Sequence, residues 1–256
     1  MPLSPSCRFF RFYTKGRPPI RADRFAGGTL PIRAARHCDA VTAASGFGWW
    51  LFPPVNTALS WDGRIIVWSN DGENWVPVDD AVHFPGFPEE FDDLAPAHLR
   101  GAAPPYLTAL PEPGVIQISL GLLASTSEDW CLLIRRPANF PLPGHFDHYE
   151  GIVATGERPI LLFINLRLTK TDFPIRLRAD MPLVQAQPIL QNCVSGLVLN
   201  DMAVEDGLGT NEWDGYFRTI AEPSTRPDRP LGGYAVVQRR ARRRAEARSL
   251  AEVEHQ

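Results

Sequence analysis

Residues 130–189 read WCLLIRRPANFPLPGHFDHYEGIVATGERPILLFINLRLTKTDFPIRLRADMPLVQAQPI. Short apolar runs alternate here with turns rich in proline and glycine, residues that interrupt helices and close reversals of the chain. In PILLFINLRL, Ile160, Leu162, Ile164, Leu166 and Leu168 fall on one face, with Asn165 and Arg167 on the other. In PIRLRA, Ile175 and Leu177 alternate with Arg176 and Arg178. A period of two over a strand's length marks a half-buried β-strand. Several such strands at short spacing predict an all-β (mainly β) fold, a jelly-roll or β-sandwich core. Polar residues lie inside or beside the strands, which predicts a polar pocket in the sandwich.

Upstream, VIQISLGLL places Ile116, Ile118 and Leu120 on one face. Residues 38–78 read as a tryptophan-rich β-meander, with Trp61, Trp68 and Trp75 seven apart. Asp62-Gly63 and Asn70-Asp71-Gly72 join its apolar runs, and Asp-Gly pairs supply the positive φ of tight hairpin turns. Ser69-Asn70-Asp71-Gly72-Glu73-Asn74-Trp75 resembles the Asp-box hairpin of sugar-processing propellers. A single copy, one residue short, predicts a turn and not a propeller. Residues 79–113 are acidic and proline-rich and read as a long loop with one helical turn at Glu89–Leu94, a rim segment or lid. The predicted core therefore spans residues 38–190.

Residues 1–37 form a basic arm, with Phe9, Phe10, Phe12 and Tyr13 predicting a first strand. Residues 191–256 form a C-terminal extension, partly helical over 193–220. It ends in an Arg-rich helical tail over Gln238–Glu254, a solvated segment or a contact for an acidic partner.

The 25 prolines are about twice the usual share and favour turns over long helices. A net charge of -3 argues against a general nucleic-acid binder. The cysteines Cys7, Cys38, Cys131 and Cys193 form no C-x-x-C pair, which excludes a zinc ribbon or redox motif of that type. The N-terminal residues lack the apolar core of a secretory signal, and no run approaches the ~20 apolar residues of a membrane span. The expectation is a cytoplasmic protein with reduced thiols and no membrane contact.

His145-Phe146-Asp147-His148-Tyr149-Glu150 concentrates imidazole and carboxylate, ligands that suit zinc or non-heme iron. His145, Asp147 and His148 are the candidate metal ligands, with Fe or Zn as the cofactor, and Glu150 and His148 are the candidate catalytic acid–base pair. His145-x-Asp147 matches half of a facial triad. The only histidine after His148 is His255, in the tail. A second set comprises Arg135, Asn139, Glu150, Asn165, Lys170, Gln185 and Gln187. Buried amides need partners, so these residues tie strands to loops or face a ligand. Trp49 and Trp50, within Gly46–Pro54, could wall the same pocket or fill the core. His37 and Cys38 are neighbours that a strand would turn to opposite faces. No P-loop, G-x-G-x-x-G, G-x-S-x-G or H-E-x-x-H is present.

Pro137-Ala138-Asn139, Pro143-Gly144, Glu150–Val153, Asn165 and the block Trp49–Pro54 resemble an uncharacterised bacterial family, domain of unknown function 6065. That resemblance implies a bacterial protein and supplies no chemistry. The same core is similar, more remotely, to the dUTPase and dCTP-deaminase jelly roll. Arg135 or Arg136 matches that family's arginine, Gly151-Ile152-Val153 its catalytic strand, and Asp180–Gln185 its last element. No serine follows the arginine, and Ala154 stands where the family's catalytic Asp would. The resemblance thus implies nucleotide binding without hydrolysis, since the carboxylate that activates water is missing.

Three functions follow as expectations. The first is an accessory or ligand-binding protein of a bacterial, biosynthetic pathway that holds a small polar ligand or a partner protein around Arg135, Glu150 and Asn165. The second is a metal-dependent enzyme built on His145, His148 and Glu150. The third is the nucleotide binder. Homo-oligomers are common among jelly rolls and are compatible with each.

Overall fold

The computed structural model describes residues 7–79, 81–156, 158–194, 203–222 and 225. The chain is mainly β, built from antiparallel sheets that form no closed barrel among the described residues. Sheet A orders β11 (Phe146–Tyr149), β13 (Ile160–Leu168), β9 (Val115–Thr126), β8 (Leu107–Ala109) and β7 (Ala81–Val82), and β1 (Cys7–Arg11) pairs with the far half of β9. Sheet B orders β12 (Gly151–Val153), β10 (Trp130–Arg135), β15 (Val184–Leu190), β3 (Trp49–Leu51) and β2 (Ile20–Arg21). Sheet C orders β14 (Ile175–Leu177), β4 (Thr57–Trp61), β5 (Ile66–Ser69) and β6 (Val76–Pro77).

One apolar cluster joins all three sheets. Ile116, Ile118, Leu162, Ile164 and Leu166 of sheet A meet Leu132, Ile134, Val184 and Leu51 of sheet B and Leu59, Trp68 and Ile175 of sheet C. The alternation read along β13 is the cause, since Leu162, Ile164, Leu166 and Leu168 are buried while Asn165 and Arg167 face outward. Each large side chain fully buried in this way contributes about 1.5–3 kcal/mol. Both predicted Asp-Gly hairpins form. Asp62 Oδ1 accepts from the Arg64 and Ile65 amides between β4 and β5. Asp71 accepts from Glu73 and Asn74 between β5 and β6.

Three segments differ from the sequence expectation. The meander does not begin at residue 38, because α2 (Asp39–Gly46) follows the short α1 (Ile32–His37). Its buried residues are Thr42 and Ser45, so the segment lacks the apolar stripe that signals an amphipathic helix. The 79–113 segment is not an open rim loop. It contains β7, α3 (Phe87–Leu94) and β8, and it drives Phe84, Phe87 and Tyr106 into the core. The basic arm supplies the predicted first strand, β1 on sheet A, and differs in adding a second, β2, to sheet B. Between them Phe12 and Tyr13 pack on Phe84, Phe87 and Phe91. Of the C-terminal extension, α4 (Thr210–Tyr216) is described, and the Arg-rich tail lies outside the described residues.

A second, smaller cluster of Ala22, Ala26, Trp50, Phe52 and Phe140 covers the outer face of sheet B. Its geometry depends on Gly48, which joins α2 to β3 at φ 93° with no room for a side chain. A Cβ there would stand 2.1 Å from the Ala186 carbonyl oxygen. Gly48→Ala is expected to destabilise the fold by about 3 kcal/mol or more, combining strain with a steric clash. Gly72→Ala, at φ 84° but in open space, should cost only about 1 kcal/mol. Urea midpoints of the two variants check this, and equal midpoints would remove the close approach as the cause.

Candidate functional site

The amides predicted to line a pocket are mostly structural ties. Gln185 is fully buried. Its Nε2 is shared among the carbonyls of Ala44, Ser45 and Phe47 at 3.1, 3.1 and 2.7 Å, and its Oε1 accepts from the Ala138 amide at 2.7 Å. Gln187 Nε2 donates to the Phe47 carbonyl at 3.2 Å. Asn139, at φ 59°, donates to the Val41 carbonyl and to Ser45 Oγ. Gln185 and Gln187 satisfy carbonyls at the C-terminal end of α2, where carbonyls have no partner within the helix, and Asn139 ties its own turn to the same helix.

The remaining members of that set are spread over the molecule. Arg135 pairs with Glu150 at 3.4 Å, with both side chains more than a third exposed, a contact worth under about 1 kcal/mol. Lys170 lies over the Phe173 ring at 4.5 Å. Trp49 packs edge-on to Phe9 and under Arg21, while Trp50 is buried against Phe140. Asn165 sits on the outer face of sheet A, where its Oδ1 accepts from Gln117 Nε2 at 3.2 Å. These side chains do not converge on one hollow.

The metal candidates also separate. Among the described residues no three His, Cys, Asp or Glu side chains come together to hold a metal ion. The reason is the pleat of β11, in which Phe146 and His148 turn inward while Asp147 and Tyr149 turn out. His145 precedes the strand at φ 73° and packs on Phe173. His148 lies beside Phe146 with its Nε2 2.9 Å from the Leu183 carbonyl. A carbonyl only accepts, so Nε2 carries the proton. Burial lowers the His148 pKa below its usual 6.5, and the Leu183 bond only partly opposes this. All four cysteines are free, and burial pushes the Cys7 thiol up to about 11, away from the thiolate form that reacts.

The outward half of β11 does meet other polar groups. Asp147 lies opposite Arg167, and Tyr149 opposite Asn165, across the β11–β13 pair. Asp147, Tyr149 and Arg167, with Glu112 from the turn before β9 and Trp61, line a cleft of about 680 Å³. Asp147, Arg167 and Glu112 form no ion pair within 4.0 Å, and the Tyr149 hydroxyl has no hydrogen-bond partner, among the described residues. Gly114, at φ 71°, lies against the Trp61 ring and fixes the turn that presents Glu112. Glu112 and Arg167 went unassigned in the sequence reading. The signal for Arg167 was its alternation with the leucines of β13, while Glu112 carried none. No family model matches the chain, and no curated protein matches it.

Two outcomes follow. Gln185→Leu should lose about 2–4 kcal/mol, because the Ala138 amide and the α2 carbonyls stay buried without partners. Chemical denaturation checks this, and a loss below 1 kcal/mol would assign the tie elsewhere. For His148, the unfolded chain takes up a proton near pH 6.5 and the native chain only at lower pH. The unfolded state therefore binds more protons in between, and stability falls as pH drops through that window. His148→Gln, which retains a donor for Leu183, should flatten the acid limb of a Tm–pH profile. An unchanged limb would show that other groups set it.

Proposed function

We propose that the chain is a binding protein for a small polar ligand, held on the outer face of sheet A in the cleft of Glu112, Asp147, Tyr149 and Arg167. The observation that carries this reading is that these four polar groups line one hollow with no side-chain partner among the described residues. Polar groups that converge without satisfying one another are what a polar ligand would satisfy. Two carboxylates against one guanidinium give the cleft a negative balance. It therefore favours a neutral polyol or a cationic amine over a phosphate ester. Asn165 and its neighbour Gln117 extend the same face and would orient the far end of the ligand. An accessory role in a bacterial biosynthetic pathway is consistent with such a module.

The similarity to the dUTPase jelly roll supports a second, weaker reading. Ala154 is exposed just after β12, so the position offers no carboxylate to activate water. Nucleotide binding without turnover is the form that reading takes here.

A thermal-shift screen of polyols, amino acids, amines and nucleoside triphosphates separates the readings, because a ligand that binds only the native state raises Tm. Polyols or amines should stabilise the protein, and an Asp147→Asn, Arg167→Gln double variant should lose that shift by about tenfold in affinity or more. Triphosphates alone raising Tm would favour the nucleotide reading. Equal binding by the double variant would sink the sheet A cleft.

A further inference from the structure

A second cleft lies on sheet C, distant in chemistry from the first. Its volume is about 670 Å³, and Asn56, Asn70, Asp71, Arg176, Arg178 and Asp180 line it, with Ala58 and Leu177 below. β14 supplies the arginines by simple alternation. Ile175 and Leu177 are buried, so Arg176 turns outward, and Arg178, the residue after the strand, is exposed as well. Arg176 lies opposite Ala58, which lies opposite Ser69 on β5. The small Ala58 leaves the space between the arginine and the Asp71 turn.

The charges of this cleft are unequally committed. Arg178 is held by Asp180, with Nε 2.8 Å from Oδ1. Arg17 closes the same corner, donating to the Asp180 carbonyl at 2.6 Å with its guanidinium 4.2 Å from the Phe52 ring. Asp71 is consumed by its own turn. Its carboxylate accepts from Ser69 Oγ, the Glu73 and Asn74 amides and Asn74 Nδ2 at 2.7–2.8 Å. Asn56 Oδ1 accepts from the Ala179 amide at 2.9 Å, which leaves its NH₂ group as the free end. Arg176 and Asn70 have no side-chain partner among the described residues. The uncommitted groups are thus a guanidinium and two amides able to donate, beside two further arginines that are already fixed.

We propose that this cleft binds the oxyanion of a small organic acid, with Arg176 as the fork that receives it and Asn56 and Asn70 as flanking donors. A guanidinium offers parallel N–H groups that match a carboxylate or phosphate. The Arg178–Asp180 pair leaves Arg178 little capacity for the anion but holds its stem as a wall. On the other flank of β14, Leu142, Phe146, Met181 and Leu183 form a small apolar notch that Arg176 and Arg178 also line. An acid with a short hydrocarbon body would use both flanks of the strand. The site is independent of the sheet A cleft and opposite to it in charge preference.

Titration of the labelled protein with inorganic phosphate, and separately with succinate, is followed by NMR. Saturable shifts should be confined to residues 56–58, 69–72 and 176–180, with Kd on the order of 1 mM. Tighter binding of succinate assigns a carboxylate, and tighter binding of phosphate assigns a phosphoryl group. Arg176→Gln should weaken either anion at least about tenfold. Arg176→Lys should keep part of the phosphate response and less of the succinate response. Arg167→Gln, in the other cleft, should change neither. Arg176 is exposed, so these variants are expected to fold, and an unchanged urea midpoint confirms it. No saturable shift with either probe, or equal binding by Arg176→Gln, overturns the site.

Discussion

Gln185 makes no contact with solvent, and its amide holds three separate pieces of chain together. β15 runs through the middle of sheet B with both of its faces covered. On one face Val184 and Ala186 enter the main core. On the other, α2 ends with its carbonyls pointing at the sheet. An eight-residue helix has little stability of its own, and its N-cap residue Cys38 makes no side-chain capping bond. Buried carbonyls without donors would expel it from the sheet. Gln185, Gln187 and Asn139 provide those donors, so α2 can stay. The same amide fixes Ala138, and so the start of the segment leading to β11.

That segment explains why the fold and the first cleft are coupled. β11 leaves the 137–145 turn with its pleat set, so Phe146 and His148 turn inward and Asp147 and Tyr149 out. The carbonyl of Leu183, the residue just before β15, holds His148. A one-residue slip would exchange the two faces, placing a carboxylate in the core. Packing on the inside therefore dictates which groups the outside presents. A comparable constraint acts at α3. Glu90 accepts from the Thr14 amide and hydroxyl and lies 3.1 Å from Lys15. Lys15 is largely exposed, so the bonds from Thr14 and the aromatic contacts of Phe12 and Tyr13 hold the helix more than the charge does.

The sequence was most legible where burial follows a simple period. β13 and β14 alternate cleanly, and the Asp-Gly turns formed where their chemistry demands. It was least legible where polar atoms are buried. α2 hides Thr42 and Ser45, whose hydroxyls return to helix carbonyls, so no hydrophobic pattern announces it. The same blindness left Gln185 and Gln187 open between structural ties and ligand contacts. Alternation tells which face a side chain takes but not what covers that face. His145, Asp147 and His148 are close in sequence for the opposite reason, since proximity along a strand separates side chains. Asp147 and Arg167, twenty residues apart, become neighbours only through the register of β11 on β13.

The two clefts illustrate how a chain of modest net charge can offer opposite surfaces. Each is built by the outward residues of strands whose inward residues are leucine, isoleucine or phenylalanine. In the sheet A cleft the carboxylates outnumber the cation and none is paired. In the sheet C cleft one carboxylate is saturated by its own turn and the other by Arg178. Formal charge is therefore a poor guide to either surface, because a carboxylate with four hydrogen bonds presents little unmet demand to a ligand. What remains available is the remainder after internal partners are counted, acceptors on sheet A and donors on sheet C. Selectivity between the two follows from that remainder, and it is set by Asp71 and Asp180 as much as by the residues that would touch a ligand.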